Sequence, residues 1–197
     1  MPSVFLVSDT HFGHKGVCHF TRNDGVTKLR PWDTPEEMDE AMIAKWNERV
    51  KPTDKVYHLG DVVINRKALP TLARLNGDKV LIRGNHDIFP DVEYRQYFRE
   101  LRAYHVMNGM ILSHIPIHPE SLGRFGTNIH GHLHASRVML SGFNGKQTDI
   151  VDTRYHCVCV EQTDFAPILF EEVLARIEAE GGQIGFQNGN GTTQTSM

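Results

Sequence analysis

Cysteine is scarce in this chain, three residues in 197, and Cys18, Cys157 and Cys159 are odd in number and partly crowded together. That pattern suits a reducing compartment better than a disulfide framework, so the cytosol is the expectation. Long apolar runs are missing as well. The first, Val4 to Val7, stops after four residues at Ser8-Asp9 with no basic stretch before it, and none approaches the 18 residues of a membrane span. Neither a signal peptide nor a membrane partner is expected. Charge of one sign is also lacking: the formal net charge is −3, which argues against a binder of long nucleic acid or of anionic membrane and leaves small phosphorylated ligands open. The chain has no Gly-x-Ser-x-Gly elbow and no Gly-x4-Gly-Lys-Ser/Thr phosphate loop.

What remains is an ordinary globular composition, 40% hydrophobic and 23% charged, of a length that suits one domain with its own core. Histidine stands out at 12 residues. Val4–Val7 reads as a buried strand delivering Ser8-Asp9-Thr10-His11 at its carboxyl end. Residues 19–33 read as a long irregular loop in which Arg22, Lys28 and Arg30 are the candidate substrate contacts. Thr34, Pro35 and Glu37 resemble a capped helix start, and Met38, Met42, Trp46 and Val50 repeat every four residues up to Pro52. Further strands are expected at Lys55–Leu59, Lys79–Ile82, Met110–Leu112, Asn128-Ile129 and Cys157–Val160. Helices are expected at 66–75, 90–102 and 170–180. The 90–102 helix would carry Arg95, Arg99 and Arg102 on one face, ordinarily a solvated stripe. Strands alternating with helices point to an α/β fold with much parallel pairing. A single domain over 1–180 is expected, followed by a flexible Gly/Gln/Asn/Thr-rich tail over 181–197.

Five strand ends or following loops carry metal-ligand residue types: Asp9 with His11, Asp61, Asn85, His114, and His132 with His134. Taken singly each has an ordinary explanation, a satisfied polar pair or a turn residue. Structural turns do not require His, Asp or Asn at five successive junctions, however. In an extended segment residues i and i+2 point the same way, so each Asp-x-His or His-x-His pair would offer two donors to one side. Imidazole mixed with carboxylate and amide oxygen suits Mn, Fe or Zn better than an all-oxygen Ca or Mg cage. Seven donors exceed one such ion, and two ions sharing a carboxylate meet the count.

The ordered blocks Asp9-x-His11, Gly60-Asp61, Gly84-Asn85-His86-Asp87, His114 and Gly131-His132-x-His134 resemble the calcineurin-like metallophosphoesterase superfamily over residues 4 to about 134. Arg30-Pro31, Glu37-Met38, Trp46-Asn47 and Tyr57–Asp61 look like its small, cap-less bacterial and phage members. The resemblance implies two facing mixed β-sheets flanked by helices. It implies one metal held by Asp9, His11 and His134, a second by Asn85, His114 and His132, and Asp61 bridging both. It also implies two divalent ions, Mn foremost with Fe, Zn or Ni as alternatives, and attack on phosphorus by a metal-bridging hydroxide with His86 as general acid. The expected function is hydrolysis of phosphodiesters, cyclic nucleotides among them, ahead of phosphomonoesters, in a small phosphorylated substrate with nucleotides among the candidates. A non-catalytic metal-binding scaffold and a nuclease are the alternatives, the first disfavoured by an intact His86. Asp87 reads equally as an orienter of His86 or a turn residue. His14 is a candidate substrate contact, His58 and His130 read as hydrogen-bond supports, and His118 as loop structure.

Overall fold

Alternating side chains on short strands sort the interior into two layers. The computed structural model describes residues 2–142 and 146–186. In chain order it contains β1 (Val4–Val7), α1 (Pro35–Arg49), β2 (Lys55–His58), β3 (Asp78–Ile82), α2 (Asp91–Tyr94), β4 (Glu100–Arg102), β5 (Tyr104–Met107), β6 (Met110–Ser113), α3 (Pro119–Leu122), β7 (Asn128–His130), β8 (Met139–Ser141), β9 (Gln147–Val151), β10 (Tyr155–Cys157), β11 (Ile168–Leu169) and α4 (Phe170–Ala179). One sheet has the order β11-β1-β2-β3-β4, the other β10-β7-β6-β5, and β8 and β9 form a separate pair. Each larger sheet is parallel except for one antiparallel edge, β11 in the first and β5 in the second.

Leu6, Tyr57, Val80 and Ile82 of the first sheet share a buried cluster with Met110, Leu112 and Ile129 of the second and with Val173 and Ile177 of α4. Their neighbours Phe5, Val7, Val56 and Leu81 point the other way, onto Met38, Met42 and Trp46 of α1. Two facing mixed sheets with helices outside are therefore the architecture. Helix α1 starts where its sequence indicates, with Thr34 Oγ1 accepting from Glu37 N at 3.2 Å and Pro35 in the first turn.

Four segments depart from expectation. Only Asp91–Tyr94 of the expected 90–102 helix is helical; Arg95 caps it and the chain straightens into β4 along the β3 edge, Val80 opposite Glu100. Pairing with an open sheet edge outweighs local helix preference, and Arg99 and Arg102 make ion pairs with Asp78 and Glu100 instead of forming a basic helix face. Arg66–Arg74 is a 3₁₀ segment, because Pro70 inside it has no N–H for a continuous α ladder. The strand expected at Cys157–Val160 ends at Cys157, and Val160–Gln162 is a 3₁₀ turn. Residues 20–29 form a two-sided arm: Thr21 bridges Lys28, and Leu29 N donates to Phe20 O at 2.8 Å.

The expected tail begins with a described stretch. Thr127 Oγ1 donates to Gln183 O at 2.7 Å, Ile184 packs on the inter-sheet core and the Phe186 ring lies 6.2 Å from that of Phe125. The remainder, 187–197, lies outside the described residues. Among the described residues no helix is long and apolar enough to cross a membrane.

Candidate metal centre

Every candidate ligand follows the carboxyl end of a parallel strand, where α/β sheets place their ligands. Asp9 and His11 follow β1, Asp61 follows β2, Asn85 and His86 follow β3, His114 follows β6, and His132 and His134 follow β7. The local conformation is not the extended one that alternation assumes. Asp9, His11, Asp61, His132 and His134 all have φ between 50° and 68°, five of the eight non-glycine residues with positive φ among the described residues. Non-glycine residues adopt this left-handed region at a cost and persist there where surrounding contacts dictate it, so backbone strain is concentrated at one place. Glycines in the ligand turns answer to crowding: a Cβ on Gly84, ahead of Asn85, would overlap Asp61 Oδ1, and one on Gly131, ahead of His132, would overlap Ser8 Oγ.

The side chains converge in two groups, Asp9, His11 and His134, and Asp61, His114 and His132, each with donor atoms within 4.8 Å of one another. Asp61 Oδ2 lies 3.6 Å from His11 Nε2 and 3.4 Å from His114 Nε2, so one carboxylate oxygen faces both groups. Asn85 Oδ1 approaches His114 Nε2 at 3.0 Å, joining the second group. A metal fits these residues on physical grounds. Among the described residues, Asp9 Oδ1 and both ring nitrogens of His11 are buried with no hydrogen-bond partner, and an unsatisfied buried polar atom costs about 1–3 kcal/mol. Asp9 Oδ1 and His11 Nε2 are 3.6 Å apart, close to the separation of about 3.4 Å for two donors each about 2.1 Å from one tetrahedral ion.

The surroundings aim these donors. Asp9 Oδ2 accepts from Ser8 Oγ (2.6 Å), His132 N (2.8 Å) and Cys159 Sγ (3.1 Å), which turns Oδ1 inward. Burial works against ionisation of Asp9, but His11, His114 and His134 around it hold its carboxyl well below the usual range. His114 Nδ1 donates to Leu59 O at 2.8 Å and His134 Nδ1 to Glu161 Oε1 at 3.0 Å, so each Nε2 faces the centre. Glu161 is in turn held by Arg30, whose Nε donates to Oε1 at 2.8 Å; both side chains are fully buried. Burial would raise the Glu161 carboxyl, yet Arg30 and His134 keep it low. Arg30 also donates to Thr10 O (2.7 Å) and Asp9 O (2.5 Å), the backbone of the first ligand turn.

Arg30 is therefore removed from the candidate substrate contacts, because no solvent reaches it. Asp87 proves to be a turn residue: its carboxylate accepts from Asp61 N (2.8 Å), Val62 N (3.0 Å) and Gly84 N (2.8 Å), tying two ligand turns together instead of orienting His86. His86 donates its backbone N–H to Asp61 Oδ1 at 2.8 Å, and its exposed ring stands 5.6 Å from that of His11. His14 lies at the same distance on another side, its imidazole pushed down to about 4 by burial and by neighbouring cations. His58 receives Gly60 N at 3.2 Å on Nδ1 and bonds Thr10 Oγ1 at 3.0 Å through Nε2, supporting two ligand turns. His130 bonds Gly131 O at 2.7 Å, and His118 caps α3. Glu161, Ser8 and Cys159 escaped sequence reasoning as members of this site. A ligating imidazole ordinarily has a carboxylate or carbonyl behind it, which was the available signal, but which carboxylate depends on the fold.

Known proteins resemble this chain over most of its length. The family model for calcineurin-like phosphoesterases matches residues 2–167. The uncharacterized protein MJ1445 of Methanocaldococcus jannaschii is 31% identical over 186 residues, covering 90% of this chain and 93% of its own length. The crystal structure of AQ665, a protein of unknown function from Aquifex aeolicus, superposes with TM-score 0.61 at 24% identity, covering 89% of this chain and all of its own, and shares the fold. An archaeal phosphodiesterase overlaps 80% of this chain and 82% of its own at 16% identity, with TM-score 0.41. The family match over most of the chain, on a fold whose two sheets aim these side chains together, is decisive: this chain belongs to the calcineurin-like phosphoesterase family.

Proposed function

We propose that this chain is a phosphodiesterase working with two divalent metal ions, Mn foremost, on small phosphate esters. Asp9, His11 and His134 would hold one ion, Asn85, His114 and His132 the other, and Asp61 would serve both. The observation that carries the reading is Asp61 Oδ2, 3.6 Å from an imidazole nitrogen of one group and 3.4 Å from one of the other. When bound, two such cations supply positive charge for phosphate oxygens and acidify water for attack on phosphorus.

The chain's own residues do the rest. Asp61 is fixed for its double role because Oδ1 is occupied by His86 N and its backbone by Asp87. His86, exposed beside His11, donates an imidazole N–H proton to the departing ester oxygen, a step commonly contributing roughly 10²–10⁴-fold. His14, its ring 5.6 Å from that of His11, stands at the same mouth as a further substrate contact.

The test is a metal-depleted preparation assayed with Mn, Ni, Zn and Mg on a chromogenic diester, a chromogenic monoester, 2′,3′-cyclic nucleotides and single-stranded DNA. Mn-restored turnover faster on the diester is expected. Asp61→Ala should abolish it, and His86→Ala should keep metal binding while losing roughly 10²-fold or more in kcat. Failure of every metal on every substrate, or wild-type rates in Asp61→Ala, defeats the proposal.

A further inference from the structure

A cavity of about 410 Å3 opens beside the candidate ligands, with His134 in its wall. One side is the segment 133–136 that continues the ligand turn, and the other is the 20–29 arm. The arm is held at every level. Arg22 N donates to Thr27 O at 2.7 Å, the Asp24 carboxylate accepts from Val26 N and Thr27 N at 2.9 Å each, and Asn23 Nδ2 reaches across the cavity to Ser136 Oγ at 3.1 Å. At its root stands buried Arg30, bonded to the backbone of the first ligand turn. The cavity thus exists before any ligand arrives, which spares the ordering cost of binding.

Its lining has a definite chemistry. Phe20 is 49% exposed, stands edge-on 5.8 Å from the His14 ring, and lines the cavity together with Leu29 and Leu133. His14 is in turn 5.6 Å from His11, so this aromatic face lies two rings away from the metal-ligand candidates. Arg22 lines the same space. Lys28 of the arm and Arg30 at its root are neutralised by Asp33 and Glu161, whereas Arg22 makes no ion pair among the described residues. A second cavity of about 830 Å3 shares Asn23 and Ser136 and runs on beside β8 and β9, leaving room for a longer substituent.

Resting on the phosphoesterase reading above, we propose that this cavity receives the non-leaving ester group of the substrate, and that this group carries a planar ring. The ring lies against Phe20, and an acceptor or anionic substituent of the ring meets Arg22. A phosphate placed at the ligand groups has His134 beside it, so an ester oxygen on that side leads directly between the arm and residues 133–136. Stacking of a planar ring on an aromatic side chain is worth roughly 5- to 100-fold and tolerates many ring types, which suits one exposed phenylalanine without a dedicated hydrogen-bonding frame.

The experiment uses the full-length, Mn-loaded protein and three diesters with the same p-nitrophenolate leaving group, so that hydrolysis breaks the same P–O bond and adds water to phosphorus in each. Methyl, phenyl and thymidine 5′ esters are compared by kcat/KM. The ring-bearing esters should exceed the methyl ester at least about tenfold, and Phe20→Ala should shrink that ratio by roughly 5- to 100-fold while Phe20→Tyr retains it. Arg22→Ala should lower the ratio more for the thymidine ester, whose base carries carbonyl acceptors, than for the phenyl ester. Equal rates on the methyl and ring-bearing esters, or an unchanged ratio in Phe20→Ala, overturns the assignment. Titration calorimetry with thymidine 5′-monophosphate against inorganic phosphate separates the two readings. No turnover with Phe20-dependent preference for the nucleotide keeps the cavity and defeats the phosphoesterase, turnover without discrimination does the reverse, and absence of both defeats the two together.

Discussion

Glu161 meets two partners in a place no water reaches, the guanidinium of Arg30 and the Nδ1–H of His134. Removing a charged pair from water is expensive, and such a pair persists where further hydrogen bonds satisfy it, as the Asp9 and Thr10 carbonyls do for Arg30. Its effect on the candidate metal centre is to fix the His134 tautomer and raise the basicity of the nitrogen facing Asp9. Glu161→Gln preserves an acceptor for Nδ1 but removes the charge. Mn affinity at the Asp9, His11 and His134 position is therefore expected to fall roughly 10- to 100-fold, with the Asp61, His114 and His132 position much less affected. Calorimetric titration would show two unequal binding events moving apart. Equal loss at both positions would mean that Glu161 supports the fold in general and not His134.

Among the elements, α1 covers one face of the first sheet with Met38, Met42, Ile43 and Trp46. Trp46 is buried within a cluster of Met38, Met42 and Val50, stacks near His58, and donates its indole N–H to Asn76 O at 2.9 Å. Trp46→Ala is expected to cost about 3–5 kcal/mol in urea unfolding, with Trp46→Phe well below that; a loss under about 1 kcal/mol for the alanine variant would contradict this packing. This helix was legible because its apolar spacing, its Thr34 cap and its Pro35 all agree. β4 was not, because three residues take strand form only when β3 offers an edge. The 20–29 arm looks irregular in the sequence because Thr21 and Lys28 pair without any apolar alternation to announce them. At the site, the aspartates and histidines could be read as polar residues terminating apolar runs, whereas Arg30 and Glu161, 131 residues apart, are joined only by the folded chain.

For the molecule as a whole, acid is the sensitive direction. Burial pushes His58 down to about 3 and His130 and His156 down to about 4, against 6.5 for an unfolded histidine. A group whose folded pKa is depressed stabilises fully above its unfolded pKa and loses that contribution as pH falls, so stability should decline from about pH 6.5 towards 4. Asp39 works against this. Burial raises its carboxyl to about 6 although Gly13 N donates to it, so its contribution is present at low pH and lost as pH rises through 6. His14, likewise at about 4, makes four histidines against one carboxylate and leaves about three protons net in the overlapping window. At 1.36 kcal/mol per proton per pH unit, the steepest fall is about 4 kcal/mol per pH unit. Urea midpoints of metal-free protein between pH 7 and 4.5 measure this directly. His156→Gln, at a position 5% exposed and remote in sequence from the ligand turns, should make the fall shallower by about one proton, and Asp39→Asn should make it steeper below pH 6. A midpoint that stays level from pH 7 to 5 in the parent protein would show that the buried histidines take up protons without opening the fold.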